Sequence, residues 1–129
     1  MRFQSGMRHL TPGMLARFTQ IDYDREMALI AVDESGGRER EVAVARYIRL
    51  PDERTCEFAI AVADEWQGRG LGTGLMERLI AVAKVRGLET MVGWVLADNP
   101  NMLDMVSQLG FEVRRDPEAA HNKRVTLLL

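Results

Sequence analysis

Phe58-Ala59-Ile60-Ala61-Val62, followed by Gln67-Gly68-Arg69-Gly70-Leu71-Gly72-Thr73, is the stretch that decides the fold. The first run is apolar and strand-like. The second is a glycine-rich turn that opens an amphipathic helix, predicted from Gly70 to Arg86. A strand, a glycine turn and a helix N-terminus together make an anion site. Unpaired N–H groups converge there, and the helix dipole adds partial positive charge. Glycine lets a phosphate approach the backbone with no Cβ in the way. The pattern reads as a loop that grips a pyrophosphate.

Spacing narrows the choice of ligand. The dinucleotide fingerprint G-x-G-x-x-G fails in every register, because its third glycine falls on Thr73, Leu75 or Glu77. The P-loop pattern fails too, since no Lys follows Thr73. What stands here is Gln-x-x-Gly-x-Gly. Downstream come Asn99-Pro100-Asn101-Met102 and Gln108-Leu109-Gly110-Phe111. These landmarks, in this order, resemble the GNAT N-acetyltransferases. Arg17 to Ala28 and Ala45-Arg46-Tyr47 resemble one branch of that family, the bacterial protein-lysine acetyltransferases. The resemblance spans residues 10–111.

Composition bounds the reading. A chain of 129 residues is expected to form a single domain, 1–129, and 47% hydrophobic residues can fill its core. Seventeen Lys and Arg against nineteen Asp and Glu leave a net charge of −2, which argues against nucleic acid as the partner. Cys56 is the only cysteine, so a reducing, cytoplasmic location is the simplest inference. The first residues carry no apolar signal-peptide run, and no apolar stretch reaches membrane-spanning length.

Along the chain, Thr11-Pro12 reads as a helix start, with Leu10, Met14, Leu15 and Phe18 on one face. Strands follow at 26–32, 41–50 and 55–62. The helix at 70–86 places Leu71, Leu75, Met76, Leu79, Ile80, Val82 and Ala83 at the 3.6-residue period, and Gly87 ends it. A strand at 90–96, a helix at 99–109 and strands at 111–115 and 124–129 complete the chain. This order is α/β with a mixed sheet. The resemblance makes it the GNAT fold, a mixed, mostly antiparallel sheet flanked by helices, with the family's usual first strand either lacking or replaced by the first ten residues.

Strand 55–62 has two faces. Cys56, Phe58, Ile60 and Val62 suit a core, whereas Glu57, Ala59 and Ala61 leave room for a ligand. Joining an amine to a thioester needs a neutral amine, and a lysine has an unperturbed pKa of about 10.4. A carboxylate, directly or through water, is a suitable base. Glu57 stands where the lysine-acetylating branch carries its catalytic Glu; the plainer alternative is a surface Glu on a strand. The resemblance further implies that backbone groups of Ile60, Ala61 and Val62 hold the pantetheine arm and polarise the thioester carbonyl. It implies that Gln67, Gly68, Arg69, Gly70, Leu71, Gly72 and Thr73 bind the pyrophosphate, and that Asn99 contacts the cosubstrate as well as capping a helix. Many members carry a Tyr as general acid three residues before Leu-Gly-Phe. Here that residue is Val106, and the lysine-acetylating branch commonly lacks this Tyr.

Asp22, Tyr23, Asp24 and Glu26 put acidic groups where the family places its acceptor, though a solvated turn explains them equally well. His9 and His121 have no partner at metal-ligand spacing, so no metal is expected. Cys56 reads as a core residue rather than a nucleophile. The function implied is acetyl-CoA-dependent acetylation of an amine, most directly a protein lysine. A small-amine acetyltransferase and a non-catalytic CoA-binding module stay open as alternatives, as does pairing with a second copy of the chain.

Overall fold

The computed structural model describes residues 14–22, 25–68, 70–119 and 121–129. Strands β1 (Met14–Asp22), β2 (Glu26–Asp33), β3 (Arg40–Arg49) and β4 (Thr55–Val62) run in succession. A short 3-10 turn (Asp64–Trp66) leads to helix α1 (Leu71–Val85). Then come β5 (Thr90–Leu96), α2 (Pro100–Gln108), β6 (Glu112–Arg115) and β7 (Asn122–Leu128). Among the described residues these seven strands form one sheet in the order β1-β2-β3-β4-β5-β7-β6. Every neighbouring pair is antiparallel except β4 and β5, which are joined through α1 and run parallel.

One expected element is corrected. The helix read from Thr11-Pro12 through Phe18 is a strand over its described part, since Met14–Asp22 pairs antiparallel with β2. Thr11 and Pro12 lie outside the described residues. The free edge of β2 offers a full row of backbone donors and acceptors, and that pairing outweighs a weak local helical pattern. β1 therefore occupies the sheet edge beside β2. Strands β2 to β7 and both later helices fall within about two residues of their expected bounds, as ends usually do.

The core lies between the sheet and the helices. Leu75, Met76 and Leu79 of α1 are fully buried against Leu29 of β2, Tyr47 of β3 and Met91 of β5. Burying each such large apolar side chain contributes about 1.5–3 kcal/mol. Both helices cover the same face. A Cβ built on Gly72, in the first turn of α1, would lie 3.3 Å from Met105 Sδ of α2 and 3.5 Å from Ile60 Cδ1 and Val62 Cγ2 of β4. Among the described residues no helix is long and apolar enough to cross a membrane.

The feature that shapes the site is the junction of β4 and β5. They pair only from Thr55–Glu57 against Thr90–Val92, although both strands continue. Beyond that point they diverge. Phe58 sits where the ladder stops, with its ring against Gly93 and tilted 57° on Phe111 at 5.2 Å between centroids. A Cβ at Gly93 would stand 2.4 Å from Phe58 Cε1, so only glycine fits beneath the ring. Gly93→Ala forces Phe58 to move and is expected to destabilise the fold by about 1–3 kcal/mol. Urea unfolding of the variant measures this, and an unchanged midpoint would show that the ring has room to shift.

Candidate functional site

The divergence of β4 from β5 exposes backbone groups at the end of β4. Ala63 N–H donates to Val42 O of β3 at 2.8 Å. Successive residues of a strand turn their polar groups to opposite edges. Ala59 and Ala61 therefore face β3, and Ile60 and Val62 face the gap. Of the expected trio, then, Ala61 spends its polar groups in the sheet, while Ile60 and Val62 present theirs to the opening. Gln67 Nε2 donates to Val62 O at 3.1 Å, which ties the glycine turn to the strand end.

The turn itself is built on positive φ. Gly68 has φ 76° and Gly70 has φ 81°, the left-handed region that an L side chain resists. Gly70 is the N-cap of α1, and its carbonyl accepts from Gly74 N at 3.0 Å. The N–H groups of Leu71, Gly72 and Thr73 have no intrahelical acceptor, and the cap has no side chain to satisfy them. They point out of the helix start, where the dipole is positive. This is a fit for a phosphate group.

A cleft of about 420 Å³ lies over this helix start. Val62, Gln67, Gly68, Gly70, Gly72, Thr73 and Asn99 line it. Ile60 lies just beneath Gly72, and the Leu71 side chain turns into the core. Arg69 lies outside the described residues. Asn99 caps α2: its Oδ1 accepts from Met102 N at 3.2 Å, with Pro100 in the first turn. The same cleft is lined by residues beyond the expected binding set. Asn101, Asp104, Met105 and Gln108 stand at i, i+3, i+4 and i+7 along one face of α2. That spacing was a usable signal. Trp66, another wall, had no local signal at all.

Glu57 lies on the opposite face of the sheet. It is exposed together with Ala59 and Ala61, while Cys56 and Phe58 are buried and Ile60 and Val62 half-buried. The acid/base candidate and the anion cradle therefore flank the opening from its two sides. Val106 is fully buried, so the position where many family members carry a Tyr faces the core. Among the described residues no cluster of His, Cys, Asp or Glu is arranged to hold a metal. Tyr23, Asp24 and His9 lie outside the described residues.

Cys56 is fully buried, and burial pushes its thiol up to about 12, the Arg49 charge opposing only weakly. A buried thiol held in its neutral form is unreactive, so a thiol reagent should label Cys56 only as the protein unfolds. Labelling of the native protein at the rate of a free thiol would overturn this burial. The result also matters practically, because a thiol-release assay then reads only thiol freed from substrate.

Comparison with known proteins agrees with this architecture. The model of the acetyltransferase (GNAT) family matches residues 4–111. An acetyltransferase of Pseudomonas aeruginosa is 38% identical over 117 residues, which are 91% of this chain and 63% of that protein. The acetyltransferase Pat of Mycolicibacterium smegmatis is 34% identical over 110 residues, 84% of this chain and 32% of Pat. Among solved structures, the GNAT domain of S. lividans PAT superposes with a TM-score of 0.75 at 27% identity, covering 88% of this chain and 66% of that one. The chain thus spans 63% and 32% of the two relatives' own lengths. With a matched family model over most of its length and the sheet, glycine turn and diverging strands in place, this chain belongs to the GNAT acetyltransferase family.

Proposed function

We propose that the chain transfers an acetyl group from acetyl-CoA to an amine, a protein lysine in the first instance. The observation that carries the reading is the opening between β4 and β5, with free helix N–H groups on one side and an exposed carboxylate on the other. The N–H groups of Leu71, Gly72 and Thr73 hold the pyrophosphate. Ile60 and Val62 hold the pantetheine amides along the β4 edge, which draws the thioester into the gap. A backbone N–H there stabilises the oxyanion as the amine attacks the carbonyl carbon. Glu57 takes the proton from the attacking nitrogen, directly or through a water. The C–N bond forms, the C–S bond breaks, and CoA leaves as a thiolate that water can protonate, since Val106 offers no hydroxyl.

The resemblance of Arg17–Ala28 and Ala45–Tyr47 to the lysine-acetylating branch supports lysine as the acceptor. A cytoplasmic location goes with this reading, because acetyl-CoA and a lone reduced cysteine belong together in a reducing compartment. The deciding measurement is thiol release from acetyl-CoA against lysine-containing proteins and against small amines. Release with proteins, and acetyl-lysine found in them, is the expected outcome. Faster release with a small amine would move the assignment to that class. CoA binding with no release for any amine would make the chain a binding module.

A further inference from the structure

The sheet face opposite α1 and α2 carries a second group of side chains. Arg46 of β3 stands directly across from Ala59, and Glu57 lies two residues before Ala59 on the same strand. Arg46, Glu57, Ala59 and Ala61 are all exposed and share that face. Diagonal same-face neighbours on paired strands lie about 7–8 Å apart. Among the described residues neither Arg46 nor Glu57 has an ion pair. A guanidinium and a carboxylate thus stand one diagonal step apart, over a floor of two alanines. Across the opening Trp94, 46% exposed, offers an apolar wall for an aliphatic stem.

The base accounts for proton removal but recognises nothing around the amine. An unpaired guanidinium beside it does. Arginine presents a planar fork that matches a carboxylate with two parallel hydrogen bonds, and it stays charged at any working pH. We infer that Arg46 is an acceptor-binding residue that selects amines with a carboxylate close by, such as a lysine next to an acidic side chain or a free amino acid. A surface ion pair between Arg46 and Glu57 is the competing account, and such exposed pairs contribute little. The inference rests on the acetyl-transfer reading above and adds the acceptor's chemistry to it.

The test uses the whole chain, its R46Q variant and R46K, with circular dichroism to confirm that each is folded. Two acceptor pairs are compared: a capped peptide with one lysine beside Glu against the same peptide with Gln, and a free amino acid against its amide. The ratio of kcat/KM within each pair is the readout. In the parent the carboxylate member should be favoured about tenfold in at least one pair. R46Q should bring that ratio near one, and R46K should keep part of it. The pair that responds identifies the source of the carboxylate. Acetyl-CoA binding is measured by calorimetry on the same proteins. If the parent binds acetyl-CoA but shows no preference, or R46Q keeps the preference, this inference falls alone. If the parent does not bind acetyl-CoA, the acetyl-transfer reading falls and takes this one with it.

Discussion

Glu57→Gln is expected to bind acetyl-CoA as tightly as the parent and to transfer acetyl about 10²–10⁴-fold more slowly at neutral pH. The substitution keeps the shape of the side chain and removes its basicity. Glu57 is exposed on β4, on the face away from the cleft, so neither folding nor cleft geometry depends on it. The loss should fall on kcat rather than on the affinity for acetyl-CoA. It should also shrink as pH rises. A lysine acceptor with an ordinary pKa of about 10.4 is mostly protonated at pH 7, and more of it is already neutral at pH 9. A rate-limiting proton removal therefore matters less there. If the variant acetylates a good acceptor at nearly the parental rate at pH 7, Glu57 is only a strand residue. Catalysis would then rest on positioning and the oxyanion donor.

Glu57 also illustrates what was legible in the sequence. Alternation along Thr55–Val62 separated Cys56 and Phe58 from Glu57, Ala59 and Ala61, and the structure has them on a buried and an exposed face. The helix after the glycine turn was legible for a similar reason, since its apolar period is uninterrupted and glycines mark both ends. β1 was not. Met14, Leu15 and Phe18 satisfy a helical period, and only the long-range pairing with Ala28–Asp33 makes them a strand. Single-sequence patterning cannot weigh a partner's free edge against a local period.

The cleft divides in the same way. Its glycine turn is a local motif, so Gly68, Gly70 and Gly72 could be named in advance. Its far wall is one face of α2, and Asn101, Asp104 and Gln108 become site residues only when α2 packs beside α1 at Gly72 and Met105. The divergence of β4 from β5 is a matter of register. Its one local trace is Gly93, a lone glycine inside a strand, which marks the close approach of the Phe58 ring.

Gly70→Val should abolish detectable acetyl-CoA binding. Gly70 has φ 81°, and a β-branched residue is strongly disfavoured there. Holding valine in that conformation costs about 1–2 kcal/mol, which alone weakens a site that needs this turn by about tenfold. The second effect is steric. Gly70 is the N-cap of α1 and borders the cleft, so a branched side chain would stand beside the Leu71, Gly72 and Thr73 N–H groups that the pyrophosphate needs. Relaxing the strain turns those donors away, and keeping them aimed leaves the side chain in the phosphate's path. Either response removes the same contacts. Gly36→Ala is the matched control, because Gly36 lies in the β2–β3 turn with nothing within 4 Å of a built Cβ and no positive φ. Calorimetry should find parental affinity in Gly36→Ala and none in Gly70→Val, with both proteins folded by circular dichroism. An unchanged Kd in a folded Gly70→Val protein would mean that the cosubstrate does not use this helix start, and the candidate site would have to be abandoned.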